Sequence, residues 1–158
     1  MGHRVYGHES KCSNLHGHNY KFVIHAIAKE GLDSVGRVVD FSEIKSVLCE
    51  WLEFNWDHKT LLYHIDPLSQ TLSYLQAQDS GSGLNIVDVV FNPTAENIAY
   101  HFLNFVCPSL TYYLNWYVYK ITLFETSKCS VEVLLNESCE AGIKLIYQKR
   151  NEPEDLPF

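Results

Sequence analysis

The chain has no cluster of basic residues, no apolar run of membrane length and no leader pattern, and each absence removes a class of function. Lysine and arginine number 12 against 19 acids, for a formal charge of −7, and a nucleic-acid surface needs its cations gathered in one patch. Here they are scattered, so no nucleic-acid partner is expected. No stretch approaches the roughly 20 apolar residues that cross a bilayer, so no membrane association is expected either. The five cysteines, at 12, 49, 107, 129 and 139, are an odd number without a signal-peptide pattern ahead of them, which predicts free thiols in a reducing cytoplasm. There is no internal repeat. The one loop-like Gly/Ser stretch, Asp79-Ser80-Gly81-Ser82-Gly83, is too short for a domain linker. With 158 residues, the expectation is a single domain over 1–150 and a frayed tail over 151–158.

What the chain does have is concentrated in Cys12-Ser13-Asn14-Leu15-His16-Gly17-His18-Asn19-Tyr20, a thiol and two imidazoles just ahead of a strand pattern. On an extended backbone His16 and His18 fall on one face about 6.7 Å apart, from a rise of about 3.3 Å per residue. Gly17 between them leaves the opposite face bare, open to a close backbone or ligand. Imidazole nitrogen suits zinc, and a catalytic zinc takes three protein ligands and keeps a fourth position open. From spacing alone, the third ligand is His3, His8 or Cys12. Cys49 and Cys107 fall in helix-like apolar patterns as core residues. Cys129 and Cys139 carry no spacing signal.

Tyr20 to Ala28 alternates as a half-buried strand, with Tyr20, Phe22, Ile24 and Ala26 on one side. Arg37 to Asp40 reads as a short strand returning after the Gly31 to Gly36 turn, which makes a hairpin. Ile44, Val47, Leu48, Trp51 and Leu52 recur at helical spacing, with Asp40 or Ser42 as the cap. A second helix follows Asp66-Pro67, with a stripe of Leu68, Leu72 and Leu75. A strand over Leu84 to Phe91 leads to a helix that starts at Asn92-Pro93-Thr94 and buries Ile98, Phe102, Phe105 and Val106. Strands follow at Trp116 to Phe124, Ser130 to Leu135 and near Ile143 to Tyr147. Paired strands around helices, without βαβ alternation, predict an α+β fold: an antiparallel sheet with helices packed on one face. Its two edges favour a homo-oligomer.

Two further groups stand out chemically. Asp57-His58 follows the first long helix, and an adjacent carboxylate and imidazole can share a proton; a surface pair at a helix end is the plainer reading. Glu125 shares strand parity with Tyr119, Ile121 and Leu123, and an ionised carboxylate there can accept two parallel N–H donors; the plainer reading is a finished strand facing water.

Taken in order, Gly2-His3-Arg4-Val5, the Cys12 to Tyr20 segment, Val38-Val39-Asp40-Phe41, Trp56-Asp57-His58-Lys59, Asn92-Pro93-Thr94-Ala95-Glu96-Asn97 and Phe124-Glu125-Thr126 resemble the 6-pyruvoyltetrahydropterin synthase and 6-carboxytetrahydropterin synthase family. The resemblance implies the tunnelling fold, assembled as a trimer or hexamer. It implies Zn2+ on His3, His16 and His18, Cys12 as the catalytic thiol, Asp57 and His58 as a second acid/base unit, and Glu125 as the carboxylate that anchors the pterin. The three residues between the thiol and the His-Gly-His resemble the 6-carboxytetrahydropterin synthase branch, of queuosine and 7-deazaguanine biosynthesis. The function so implied is zinc-dependent conversion of 7,8-dihydroneopterin triphosphate to 6-carboxy-5,6,7,8-tetrahydropterin, with release of acetaldehyde and triphosphate. Lys11, Lys21 and Lys59 are the candidate cations for the triphosphate. The rival readings are a 6-pyruvoyltetrahydropterin synthase and a non-catalytic zinc-binding module in which Cys12 closes the coordination sphere.

Overall fold

A computed structural model of the chain describes residues 1–79, 81–135 and 146–149. The tail over 151–158, Cys139 and the start of the last expected strand lie outside the described residues. Strands β1 (Gly2–His3), β2 (His16–Gly17) and β3 (Lys21–Ala28) come first, followed by a helical run over 41–55 (α1). Then come β4 (Thr60–Tyr63), α2 (Pro67–Gln78), β5 (Ile86–Val89) and a helical run over 95–111 (α3). The chain continues through β6 (Trp116–Thr126), β7 (Cys129–Leu134) and β8 (Ile146–Lys149).

The expected antiparallel sheet is present in the order β3-β6-β7-β8. Phe22, Ile24 and Ala26 of β3 join the buried Trp116, Val118, Ile121, Leu123, Val131 and Val133 on its inner face. Against that face pack Leu48 and Trp51 of α1 and Ile98, Phe102, Leu103 and Val106 of α3. The rings of Phe22, Trp51 and Trp56 converge on Phe102 with centroids 5.2 to 5.9 Å away. Asp40 caps α1 by accepting from the Ser42 amide, and Thr94 caps α3 by accepting from Asn97, as side-chain oxygens do for orphan N–H groups.

One sheet was expected, and the described residues form two. The second, ordered β2-β1-β4-β5, pairs β1 with β2 antiparallel but β1 with β4 and β4 with β5 parallel. β5 falls within the expected strand over Leu84 to Phe91, but β1 and β2 are two residues long and give no alternation to read, and parallel pairing is non-local, so sequence periodicity does not reveal the sheet they form.

Three local expectations are corrected. Residues 37–40 form no strand, and hence no hairpin, because the Asp33 carboxylate accepts from the Val35 and Arg37 amides and pairs with the Arg37 side chain at 2.9 Å, curling the segment into a loop. Phe105 is 58 % exposed while Phe102, Leu103 and Val106 are buried. A π-helical turn over Phe102–Val106 widens the helix there and shifts the phase of its apolar stripe. On α2 the leucine stripe is weak, with Leu75 46 % exposed; polar contacts hold that helix instead. Asp66 caps it, Ser69 and Ser73 both donate to Asp88, and Gln76 accepts from the Ile86 amide.

Candidate metal centre and substrate cavity

The short sheet exists where the histidines are needed. Register pairs Gly2 with Gly17 and His3 with His16, so two of the three imidazoles are cross-strand neighbours. Gly17 allows this, since a Cβ there would sit 3.2 Å from the Met1 carbonyl oxygen and 3.6 Å from Gly2 Cα. His18 follows on the same face. One nitrogen from each of His3, His16 and His18 lies within 4.8 Å of the others. Of the three candidates for third ligand, the structure thus brings His3 to the pair. His8 is not in that group; its Nδ1 accepts from the Ser10 amide, and it lines a neighbouring cavity.

Hydrogen bonds fix the tautomers. Nδ1 of His3 donates to the Pro93 carbonyl at 2.7 Å, and Nδ1 of His16 donates to the Asn14 carbonyl at 2.7 Å. A carbonyl only accepts, so in both rings Nε2 carries the lone pair that a metal takes. His3 is 1 % exposed, and burial, opposed in part by the Pro93 bond, lowers its pKa from 6.5. It is therefore neutral at pH 7, and the 3.7 Å approach of its Nε2 to Glu125 Oε1 is not an ion pair. Three imidazoles, with no fourth side chain in the group among the described residues, make a donor set that fits zinc and leaves a position open.

Beside the histidines lies a cavity of about 190 Å³, to whose lining His3, Cys12, Glu96, Glu125 and Cys129 contribute. Cys12 sits on a single 3₁₀ turn, Lys11–Ser13, tied to the strand of His3 by the Val5 amide donating to the Cys12 carbonyl at 2.8 Å. Glu125 faces the site because of a bulge. Phe124 pairs with Ser130 but Thr126 pairs with Cys129, which leaves Glu125 as the extra residue that a bulge re-aims. Its parity with Ile121 and Leu123 is as expected, yet Tyr119 is 38 % exposed. An earlier irregularity, opposite His25 and Ala26, turns Tyr119 off that face.

Asp57 and His58 form the expected pair, with His58 Nδ1 and Asp57 Oδ2 2.8 Å apart. That bond lowers the Asp57 pKa. His58 adopts a φ of 53°, a left-handed conformation uncommon outside glycine. Its side chain is 92 % exposed, and the pair borders a separate open cleft with Met1, Gly17 and His18, not the cavity of Cys12. His18 is the residue between them.

Sequence reasoning passed over two residues here. Cys129 lines the cavity without a spacing signal. Tyr20, read as part of the core face, donates its hydroxyl to Glu125 Oε1 at 3.0 Å and lies 3.1 Å from His3 Nε2. Burial and the neighbouring carboxylate push its pKa well up, so it stays a proton donor. Parity with His16 and His18 was the available signal.

The model of the family described as 6-pyruvoyl tetrahydropterin synthase matches residues 1–136. The chain belongs to that family. Within the 6-pyruvoyl tetrahydropterin synthase family, it is 41 % identical over 132 residues to a protein of Rickettsia felis named 6-carboxy-5,6,7,8-tetrahydropterin synthase, covering 84 % of this chain and 91 % of the relative. A Rickettsia bellii protein of the same name matches with the same identity and coverage. A Haemophilus influenzae protein of that name is 33 % identical over 108 residues, 66 % of this chain and 73 % of the relative. A crystal structure of an uncharacterized protein from Wolinella succinogenes superposes with a TM-score of 0.71 at 25 % identity, over 85 % of this chain and 92 % of that one.

Proposed function

We propose that the protein is a 6-carboxy-5,6,7,8-tetrahydropterin synthase, converting 7,8-dihydroneopterin triphosphate to 6-carboxy-5,6,7,8-tetrahydropterin, acetaldehyde and triphosphate in the supply of 7-deazaguanines. The observation that carries this reading is the grouping of three imidazoles, two of them with fixed tautomers, beside a cavity that His3 lines together with a thiol, Cys12, and a re-aimed carboxylate, Glu125. The shared name of relatives at 39 to 41 % identity supports it.

His3, His16 and His18 would hold zinc, which supplies Lewis-acid stabilisation of charge on the side-chain oxygens of the substrate. Glu125 accepts the N–H donors of the pyrimidine edge and so orients the ring, a bidentate pairing that sets selectivity. Cys12, across the cavity, exchanges a carbon-bound proton at its sulfur. His58, oriented by Asp57, is the second proton-handling unit, on the other side of His18. The same reading places the chain in the tunnelling fold as a trimer or hexamer, where the open edges of its sheets are covered by further copies.

Incubation with 7,8-dihydroneopterin triphosphate tests the assignment. Acetaldehyde together with a 6-carboxypterin is the expected outcome, whereas a retained three-carbon side chain points to the pyruvoyl reaction instead. Cys12→Ala should keep zinc and lose turnover; release of zinc by that substitution would mark Cys12 as a ligand and the domain as a closed zinc module.

A further inference from the structure

The Tyr20 hydroxyl has one proton and two acceptors within reach, Glu125 Oε1 at 3.0 Å and His3 Nε2 at 3.1 Å. His3 Nδ1 already donates to Pro93, so Nε2 has only a lone pair to offer. A metal on that lone pair removes the imidazole from the competition and leaves the phenol to the carboxylate, a charge-assisted bond. The ring has little freedom to do otherwise. It packs edge-on to His3 and His18 with centroids 5.7 and 5.6 Å away.

Glu125 is also closer to the histidines than a pure substrate anchor needs to be. Oε1 is 3.7 Å from Nε2 of both His3 and His18. Ligand atoms around a tetrahedral zinc with bonds of about 2.0–2.1 Å are roughly 3.3–3.4 Å apart. The oxygen therefore stands a few tenths of an ångström from the place of a fourth ligand. A carboxylate that moved in would occupy the position a substrate oxygen must take, and would leave the ring edge without its acceptor.

We propose that Tyr20 is a positioning residue that tethers Glu125 Oε1 away from the metal, which keeps the coordination sphere open and leaves Oε2 and the second lone pair of Oε1 to the pterin. The inference rests on the reading of His3, His16 and His18 as ligands and of Glu125 as the ring anchor. Tyr20→Phe keeps the ring packing and removes only the tether.

The test measures zinc affinity by chelator competition, and the affinity of zinc-loaded protein for pterin by fluorescence titration, in four proteins: wild type, Tyr20→Phe, Glu125→Gln and the double variant. Tyr20→Phe should bind zinc about tenfold tighter, as a ligand is gained, and pterin about tenfold more weakly, as a charged hydrogen bond is lost. Adding Glu125→Gln should return zinc affinity to the wild-type value. A merely structural tyrosine would move both affinities down together, and that outcome, or no change in either, overturns the proposal. Failure of the underlying reading looks different. Wild type that takes up no zinc, or Glu125→Gln with undiminished pterin affinity, brings down the site assignment and the tether with it.

Discussion

Gly17→Ala probes the join between the fold and the histidine cluster. The added methyl would meet the Met1 carbonyl oxygen at 3.2 Å, inside the 3.4 Å at which ordinary contact begins, and Gly2 Cα at 3.6 Å. Neither atom can rotate away, because both are backbone. β1 must retreat by a few tenths of an ångström, and the Gly2 amide, bonded to the Lys59 carbonyl at 2.7 Å, resists from the other side. His3 moves with its neighbour. Metal–ligand distances hold to within about 0.2 Å, so zinc affinity should fall about 10- to 100-fold, equivalent to about 1.4–2.7 kcal/mol. The stability cost of the overpacked methyl is about 1 kcal/mol. Gly36→Ala is the control. Gly36 has a φ of +87° with open space around it, so alanine there costs about 1–2 kcal/mol of backbone strain without touching the histidines. Zinc affinity from chelator competition, read beside urea unfolding, separates the two variants. Wild-type zinc affinity in Gly17→Ala, or an equal loss in Gly36→Ala, refutes the reasoning.

Phe102→Ala should destabilise by about 3–5 kcal/mol, since Phe102 is fully buried among Phe22, Trp51 and Trp56; a loss under 1 kcal/mol in denaturant titration would place the core elsewhere. Asp66 is 1 % exposed, faces Arg4 Nε at 2.8 Å and accepts from the Leu68 amide, so Asp66→Ala should cost about 3 kcal/mol by stranding Arg4 and uncapping α2, and an unchanged urea midpoint would contradict this. Burial lowers the pKa values of His3, His25 and His101 from 6.5, so the unfolded chain binds more protons just below that pH. Stability of the metal-free protein is therefore highest above pH 6.5 and falls as the pH drops toward the depressed folded values; melting temperatures that rise from pH 7.5 to pH 5 would show the sign to be wrong.

Legibility in the sequence tracked how local each cause was. The cap at Thr94, the helix start at Asp66-Pro67 and the buried series of Ile98, Phe102 and Val106 are written within a few residues of one another. The same holds for the two imidazoles around Gly17. What escaped depends on partners far along the chain. Parallel pairing of β1 with β4 joins residues 2 and 60, and nothing at either position signals the other. Strand parity predicted Glu125 but misplaced Tyr119, because alternation survives only until a bulge resets it. Arg37 to Asp40 has the β-branched residues of a strand, and the Asp33 carboxylate outcompetes that propensity. Tyr20 was hidden by its own pattern, since a tyrosine on an apolar face reads as packing until its hydroxyl has a partner.

His3 and His16 belong to one hydrogen-bonded sheet, while Tyr20 leads into β3 and Glu125 sits on β6 of the other. The histidine corner is thus a seam between two layers, and its strands there are only two residues long. Under the proposed zinc assignment, an ion seated in it would work as a rivet. Its loss would loosen the amino-terminal layer just where the turn of Cys12 is tied on, so under the proposed assignment the supply of metal during folding would govern how much of the chain reaches a working shape as well as how fast that shape turns over.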